Sequence, residues 1–387
     1  MRGPIAITWR RLLGLLTVAL AAAAIGPAAA SAELDATGGD EFATTTDQVD
    51  STTDQTSSTL AAPSGPTIVE RPVTFTVQNV NRTQVPCQNV NGATYTLRGT
   101  LVAPTSRLSS GNRDITLWLH GLTASGNFLY RLKSVPGYDF AREEALKGHA
   151  ALVLDSLGYG TSDIPDGRAF CLGSHADMAH QVIGKLRSGA YTMSGGAGMP
   201  WERVGLGGAS MGGLVAEIET YTFGDAATEI NIGWADGGFS PTFDQGAAQF
   251  GDRCNTAPEP KTPGAAGNYV YTFDDPAVFY QSANPAVVAA HRVNHERDAC
   301  GIASAFFQAV GVTHTAIGTI TKPVLLVYGA DDQLYLPGTF DAQKTQYSSA
   351  TDLTMKVTAN AGHVPILDGP APTVRQQISD WLSARGF

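Results

Sequence analysis

Val204-Gly-Leu-Gly-Gly-Ala-Ser210-Met-Gly-Gly-Leu-Val-Ala216 decides how the rest of this chain is read. Val204 to Leu206 has the apolar character of a buried strand, and from Leu214 onward Val215, Ile218 and Tyr221 follow a helical spacing. Between them, Gly208-x-Ser210-x-Gly212 is a strand-to-helix turn with one hydroxyl at its apex. Such a turn holds its apical residue in an unfavourable backbone conformation. Small residues two positions to either side let strand and helix pass without a clash. The hydroxyl then stands clear of the sheet, and the backbone N–H of Met211 faces the same space at the positive end of the helix. With 43 glycines in the chain, the pentapeptide alone also fits an ordinary glycine-rich turn capped by Ser210, so its context decides.

Upstream, Val73–Val77 and Thr94–Val102 alternate with period two and predict an antiparallel pair joined through Cys87. Asp114 to His120 is a third strand ending at His120-Gly121. Phe140–Lys147 is helical, and Ala150–Asp155 is an apolar run of the kind covered on both faces of a sheet. Its exit loop is Asp155-Ser-Leu-Gly158-Tyr-Gly160-Thr-Ser162, and a helix from about His175 to Arg187 leads to the central strand. Downstream, Thr228–Ala235 reads as a strand. An insertion of about eighty residues, 236–318, follows, with a Pro/Gly-rich passage inside it. Alternation resumes with Pro323–Gly329, a helix near Phe340, the strand Leu353–Thr358 and a closing helix Pro372–Ala384. This order predicts an α/β fold: a mostly parallel, doubly wound sheet with helices on both faces, whose ligands bind beyond the carboxyl ends of the strands.

The amino terminus reads as an export signal. Arg2, Arg10 and Arg11 precede the apolar run Leu12–Ile25, and Ala30-Ser31-Ala32 offers small residues for cleavage after Ala32. The run is short for a membrane span, no stop-transfer segment follows, and no cysteine lies near the cut to carry a lipid, so a secreted protein without a stable membrane anchor is expected. Residues 33–66 are rich in Thr, Ser, Asp and Ala, cannot bury enough apolar surface to fold, and are read as a disordered spacer; the folded domain is then 67–387. The formal net charge is −10, and loss of the three leader arginines takes it to −13 (−10 − 3), a sign that disfavours nucleic acid as a partner. Nothing in the sequence specifies an oligomeric state. Four cysteines in an exported chain predict two disulfides with three possible connectivities. The expected pairs are Cys87–Cys171 and Cys254–Cys300, the second inside the insertion.

His120-Gly121, Asp155-x-x-Gly158-x-Gly160-x-Ser162, Gly208-x-Ser210-x-Gly212, Gly329-x-x-Asp332 and Gly362-His363 each follow a strand. In these motifs, from about Thr94 to the carboxyl terminus, the chain resembles the α/β-hydrolase superfamily, and within it secreted serine esterases and lipases of actinobacterial type. The chain order Ser, acid, His is that of this superfamily. The resemblance implies Ser210 as nucleophile on its elbow, His363 as base, and Asp332 as the acid that orients the imidazole. Asp331 and Asp236 are the rival acids. It also implies an oxyanion hole from the Met211 and Leu122 amides. The Asp155 loop is read as scaffold.

The insertion falls where this superfamily carries a lid. Tyr269, Tyr271, Phe273, Phe279, Tyr280, Phe306 and Phe307 are the candidates to line an acyl pocket, with a small core of the lid itself as the alternative. His291-x-x-x-His295 beside Glu296 and Asp298 has the spacing of two metal ligands on one helix face, but in so charged a stretch it reads as a solvated face, and no metal or organic cofactor is expected. The function expected is a secreted serine hydrolase that cleaves a carboxylic ester or lactone through an acyl-enzyme. Aminopeptidase, amidase or acyltransferase activity on the same three residues is the alternative chemistry, and a non-catalytic binding protein is the alternative class.

Overall fold

The computed structural model describes residues 65–109 and 113–387. The export signal and nearly all of the predicted spacer lie outside the described residues. Eight strands carry the architecture: β1 (Ile68–Gln78), β2 (Thr94–Pro104), β3 (Asp114–Leu119), β4 (Ala150–Asp155), β5 (Arg203–Ala209), β6 (Glu229–Ile232), β7 (Pro323–Gly329) and β8 (Asp352–Thr358). Their order in the sheet is β8-β7-β6-β5-β3-β4-β2-β1, extended past β1 by the two-residue strands Thr192–Met193 and Gly196–Ala197. From β8 across to β4 every neighbouring pair is parallel, whereas β2 runs antiparallel to both β4 and β1.

Local sequence explains the layers. Every residue of β3 (DITLWL) and β4 (AALVLD) is buried, as a strand covered on both faces requires. In β1, Val73, Phe75 and Val77 are buried while Thr74 and Thr76 are not, so this outlying strand has one wet face. On one face of the sheet the helix Phe140–Leu146 packs against β4 and against the closing helix Ala371–Ser383. On the other, Leu172–Ser188 packs beside Met211–Thr222, the helix that follows Ser210.

Two boundaries differ from expectation. The strand expected over Thr228–Ala235 stops at Ile232: Gly233 makes a last bond to the Val327 carbonyl and then turns the chain at φ +64, so Trp234, Ala235 and Asp236 leave the sheet as a loop. The helix expected from His175 starts at Leu172. Its cap is Cys171, whose N–H donates to Ser174 Oγ at 2.9 Å, so the start signal lies on the third helical residue instead of on the cap.

The insertion is built from the helices Pro241–Thr256, Pro285–Val293 and Cys300–Ala316 and a short ribbon pairing Tyr269–Val270 with Asp298–Ala299. The stretch Cys300–Thr319 is long and apolar enough to cross a membrane, but Ile302, Ala305, Ala309 and Val310 are buried in the core. The cysteines pair as expected: Cys87 with Cys171 (Cα atoms 5.8 Å apart) and Cys254 with Cys300 (5.4 Å). They close spans of 84 and 46 residues, each of which restricts the unfolded chain by roughly 4 kcal/mol.

Glu144 joins the Phe140–Leu146 helix to the closing helix, accepting a hydrogen bond from Ser379 Oγ at 2.7 Å. Burial pushes its carboxyl up to about 7. The unfolded chain ionises this group near its ordinary value and the folded chain resists until about 7, so the stability it contributes is complete below about 4.5 and is lost as pH rises to about 7. Across that window the wild type should lose on the order of 3 kcal/mol relative to Glu144→Gln, read as denaturant midpoints that lie close together at pH 4.5 and diverge by pH 8, with the wild type the lower.

Candidate active site

The motifs singled out above meet at the carboxyl edge of the parallel strands. Ser210 leaves β5 at φ +54 and ψ −124, an unfavourable conformation for a residue with a side chain. The neighbouring glycines explain how it is held. A Cβ on Gly208 would strike the Gly212 carbonyl, and one on Gly212 would strike the carbonyls of Leu119 and His120. Strand, turn and helix therefore touch backbone to backbone. Gly212→Ala should cost on the order of 3 kcal/mol through overpacking, measured as a fall in the urea midpoint.

His363 lies in the loop after β8 with its ring between two oxygens: Nε2 is 2.8 Å from Ser210 Oγ and Nδ1 is 2.8 Å from Asp332 Oδ2. Ring and carboxylate are both buried. The partners fix the tautomer, with Nδ1–H donating to Asp332 and Nε2 accepting from the Ser210 hydroxyl. Asp332 Oδ1 accepts the Leu334 N–H at 2.9 Å, which pins the carboxylate. The two rival acids are engaged elsewhere. Asp331 is exposed and accepts the Asn360 N–H at 2.9 Å, bracing the turn at Asn360 (φ +57) that precedes His363. Asp236 is buried on Trp234 Nε1 (3.0 Å) and Gln343 Nε2 (3.3 Å), and burial raises its carboxyl to about 6.

The loop after β3 lies alongside. His120 is buried, its Nε2 accepts the Ser156 N–H at 3.1 Å and its Nδ1–H donates to the Gly121 carbonyl at 2.8 Å, tying the exits of β3 and β4 together. A Cβ on Gly121 would sit 3.0 Å from Ser210 Cβ and 3.1 Å from the Ala209 carbonyl, so a larger residue here would crowd the turn. Among the described residues no backbone acceptor takes the N–H of Leu122 or of Met211, and both residues line the cavity above Ser210. Asp155 accepts the Thr161 N–H and hydroxyl, both at 2.9 Å, and its carboxylate fills the space a side chain on Gly160 would need, which is the scaffold role read from the sequence.

The cavity offers about 550 Å³ of atom-free space, part of it open to solvent. Besides Ser210, His363, Thr123 and His291, its walls are apolar: Leu122, Leu129, Trp234, Leu334 and Val364 from the sheet side, and Phe243, Phe273, Phe279 and Phe306 from the insertion. A second apolar hollow continues from it between the helices Pro241–Thr256 and Cys300–Ala316, sharing Leu122, Phe243, Phe273 and Phe306 and reaching Phe307.

Of the aromatic candidates, Phe273, Phe279 and Phe306 therefore line the cavity, and Tyr269 and Tyr271 do not. Tyr269 is fully buried beside Gly158 and Gly167, its hydroxyl donating to the Pro165 carbonyl at 2.8 Å. Tyr271 lies past the ribbon, partly exposed, with its ring against His295.

The stretch around His291 is not a solvated helix face. Val293 points to solvent, but His291 is buried in the cavity wall, with Nδ1 2.9 Å from the Tyr280 hydroxyl and Nε2 3.1 Å from Thr123 Oγ1. Burial, with His295 adding to it, pushes its pKa down to about 3, so the ring is neutral. Asp298, fully buried, accepts the Thr123 N–H at 2.9 Å and the Tyr159 hydroxyl at 2.9 Å. Burial raises the Asp298 carboxyl. These two insertion residues hold Thr123 at φ +66, directly after Leu122.

Asp368 does similar work for His363. It accepts the N–H groups of Gly362, Gln281 and Ser282, each at 2.7 Å, clamping the residue before His363 to the insertion. Sequence reasoning missed Asp368 and read Asp298 only as part of a charged, solvated stretch. Asp368 had a signal, Asp-Gly-Pro directly after an apolar run, but it reads as a plain turn.

The sequence profile of the Alpha/beta hydrolase family matches residues 116–376, well over half of the chain. The chain belongs to that family. Among solved structures it is similar to an esterase from Thermogutta terrifontis (18% identity over 80% of this chain and 98% of that one, TM-score 0.54). It is also similar to the monoacylglycerol lipase of Paleococcus ferrophilus (19%, 71% and 96%, 0.53) and to the enol-lactonase of Burkholderia xenovorans LB400 (16%, 77% and 100%, 0.53). At these identities the likeness is one of fold, and it matches the mostly parallel sheet with flanking helices described above. No curated protein sequence matches the chain.

Proposed function

We propose that this α/β hydrolase is an exported serine hydrolase that cleaves a carboxylic ester or lactone through an acyl-enzyme. The observation that carries the reading is the imidazole of His363 within 2.8 Å of both the Ser210 hydroxyl and the Asp332 carboxylate. A serine hydroxyl is a poor nucleophile until a base takes its proton in the attack, and Nε2 is positioned to do so. Asp332 keeps that nitrogen unprotonated in the resting state and stabilises the imidazolium once formed. The attack turns the ester carbonyl into an oxyanion, which the Leu122 and Met211 amides receive at roughly 3 kcal/mol each. His363 returns the proton to the leaving alcohol, and water then repeats the sequence to release the acid. For a lactone, alcohol and acid leave as one molecule.

The apolar walls favour an ester with a hydrocarbon acyl or alkyl part, which the insertion covers as a lid. No Asp or Glu lines the cavity among the described residues, so nothing there would hold the free amine of an aminopeptidase substrate. Export rests on the amino-terminal signal, and the two cysteine pairs at bonding distance are consistent with an oxidising compartment.

The deciding experiment is turnover of p-nitrophenyl esters of graded chain length and of simple lactones by the wild type and Ser210→Ala. Wild-type turnover with loss of several orders of magnitude in an equally stable variant is expected. An inert wild type that a fluorophosphonate also fails to label would overturn the reading. Asp332→Asn should lower kcat by at least a thousandfold, while Asp331→Asn and Asp236→Asn should keep it within tenfold, which assigns the acid by steady-state kinetics. Asp298→Asn should lower kcat about tenfold or more with little change in KM, because a relaxed Thr123 no longer presents the Leu122 amide to the oxyanion.

A further inference from the structure

About 13 Å along the helix from Ser210, at the end of that helix away from the cavity, lies a cluster that the hydrolytic chemistry does not use. His180 projects from the helix Leu172–Ser188, Glu219 from the last turn of Met211–Thr222, and Asp225 from the loop that follows. Glu219 is fully buried, and neither of its carboxylate oxygens makes a hydrogen bond. The buried Asp225 Oδ1 is likewise without a hydrogen bond. His180 Nδ1 lies 3.0 Å from Asp225 Oδ2 and 3.9 Å from Glu219 Oε1, and one donor atom from each residue falls within 4.8 Å of the others. Two carboxyl groups thus share one pocket, one of them removed from water, and the electrostatic cost shows in a Glu219 carboxyl raised well above its ordinary range by burial and by Asp225.

We propose that His180, Glu219 and Asp225 form a structural zinc site that ties the end of the helix after Ser210 to its neighbour. A tetrahedral ion with N and O ligands at about 2.0–2.1 Å sets its donor atoms about 3.3 Å apart, and the separations from His180 bracket that value. One imidazole and two carboxylates suit a borderline transition ion. Calcium takes six to eight oxygens, and magnesium prefers an octahedron of them. The Phe223 ring stacks on His180 at 4.0 Å between centroids and fixes the imidazole plane. Side-chain exposures of 27% for His180 and 21% for Asp225 leave that side open for the ion to enter and for a water to complete the tetrahedron. Arg187 donates to the Asp225 backbone carbonyl and lies 4.0 Å from Asp225 Oδ2, so its charge stands at the rim and competes with the ion.

The test uses untagged, chelator-stripped full-length protein and needs no turnover. Titrated with zinc chloride at neutral pH, the wild type should bind one ion per chain, and its Tm should rise by about 4 °C at a hundredfold excess over Kd. Cobalt(II) in place of zinc should develop the intense visible bands of a tetrahedral site. His180→Ala should weaken binding at least a hundredfold and abolish the Tm response, with Asp225→Asn as the second variant should the first fold poorly. His363→Ala should bind as the wild type does, which separates this site from the cavity. No binding by the wild type, or equal uptake by wild type and both cluster variants, overturns the proposal and leaves Glu219 and Asp225 sharing a proton.

Discussion

Everything at the carboxyl edge of the sheet depends on one turn of backbone held where it does not want to be. Ser210 sits at a positive φ, and what keeps it there is the contact of Gly208 with Gly212 and of Gly212 with the end of β3. Peptide planes in direct contact leave no slack, so the strain is offset by the packing of three elements and is not relieved by a shift of one. The result is a hydroxyl with a fixed direction and, beside it, the amides of Leu122 and Met211, which no backbone acceptor takes among the described residues.

Around that point the structure supplies supports in a hierarchy. The imidazole at 363 is set by Asp332 through its ring and by Asp368 through its backbone. The loop after β3 is set by His120 from within the sheet and by Asp298 and His291 from the insertion. Asp332, Asp368 and Asp298 each accept several N–H or O–H donors, the arrangement that makes burial of a carboxylate tolerable.

The parts legible in the sequence were those whose chemistry is local. A glycine beside a serine, an apolar run that ends in His-Gly, and an acid three residues past a strand all declare themselves within a few positions, and they located β3 to β8 and the residues that meet above them. What stayed hidden depends on partners far away. Asp298 meets Thr123 across 175 residues, and no window of sequence contains both. His291 was misread because Arg292, Val293 and Asn294, which do face water, follow it directly. Tyr269 and Tyr271 share aromatic character with the cavity-lining phenylalanines, but Tyr269 stands on a ribbon and turns toward the loop after β4, and Tyr271 lies just past that ribbon against His295.

The hold of Asp298 on Thr123 has a bearing on how such a protein can be re-engineered. Substrate range in scaffolds of this kind is tempting to alter by grafting the cap of one relative onto the base of another, as if the two were independent parts. In this chain the insertion is also a beam under the floor: exchange residues 236–318 and the backbone beside Ser210 loses an anchor, even with every residue of the base left untouched. A transplant that keeps Asp298, His291 and the two amides that Asp368 grips would respect that joint; one cut by sequence position alone would not.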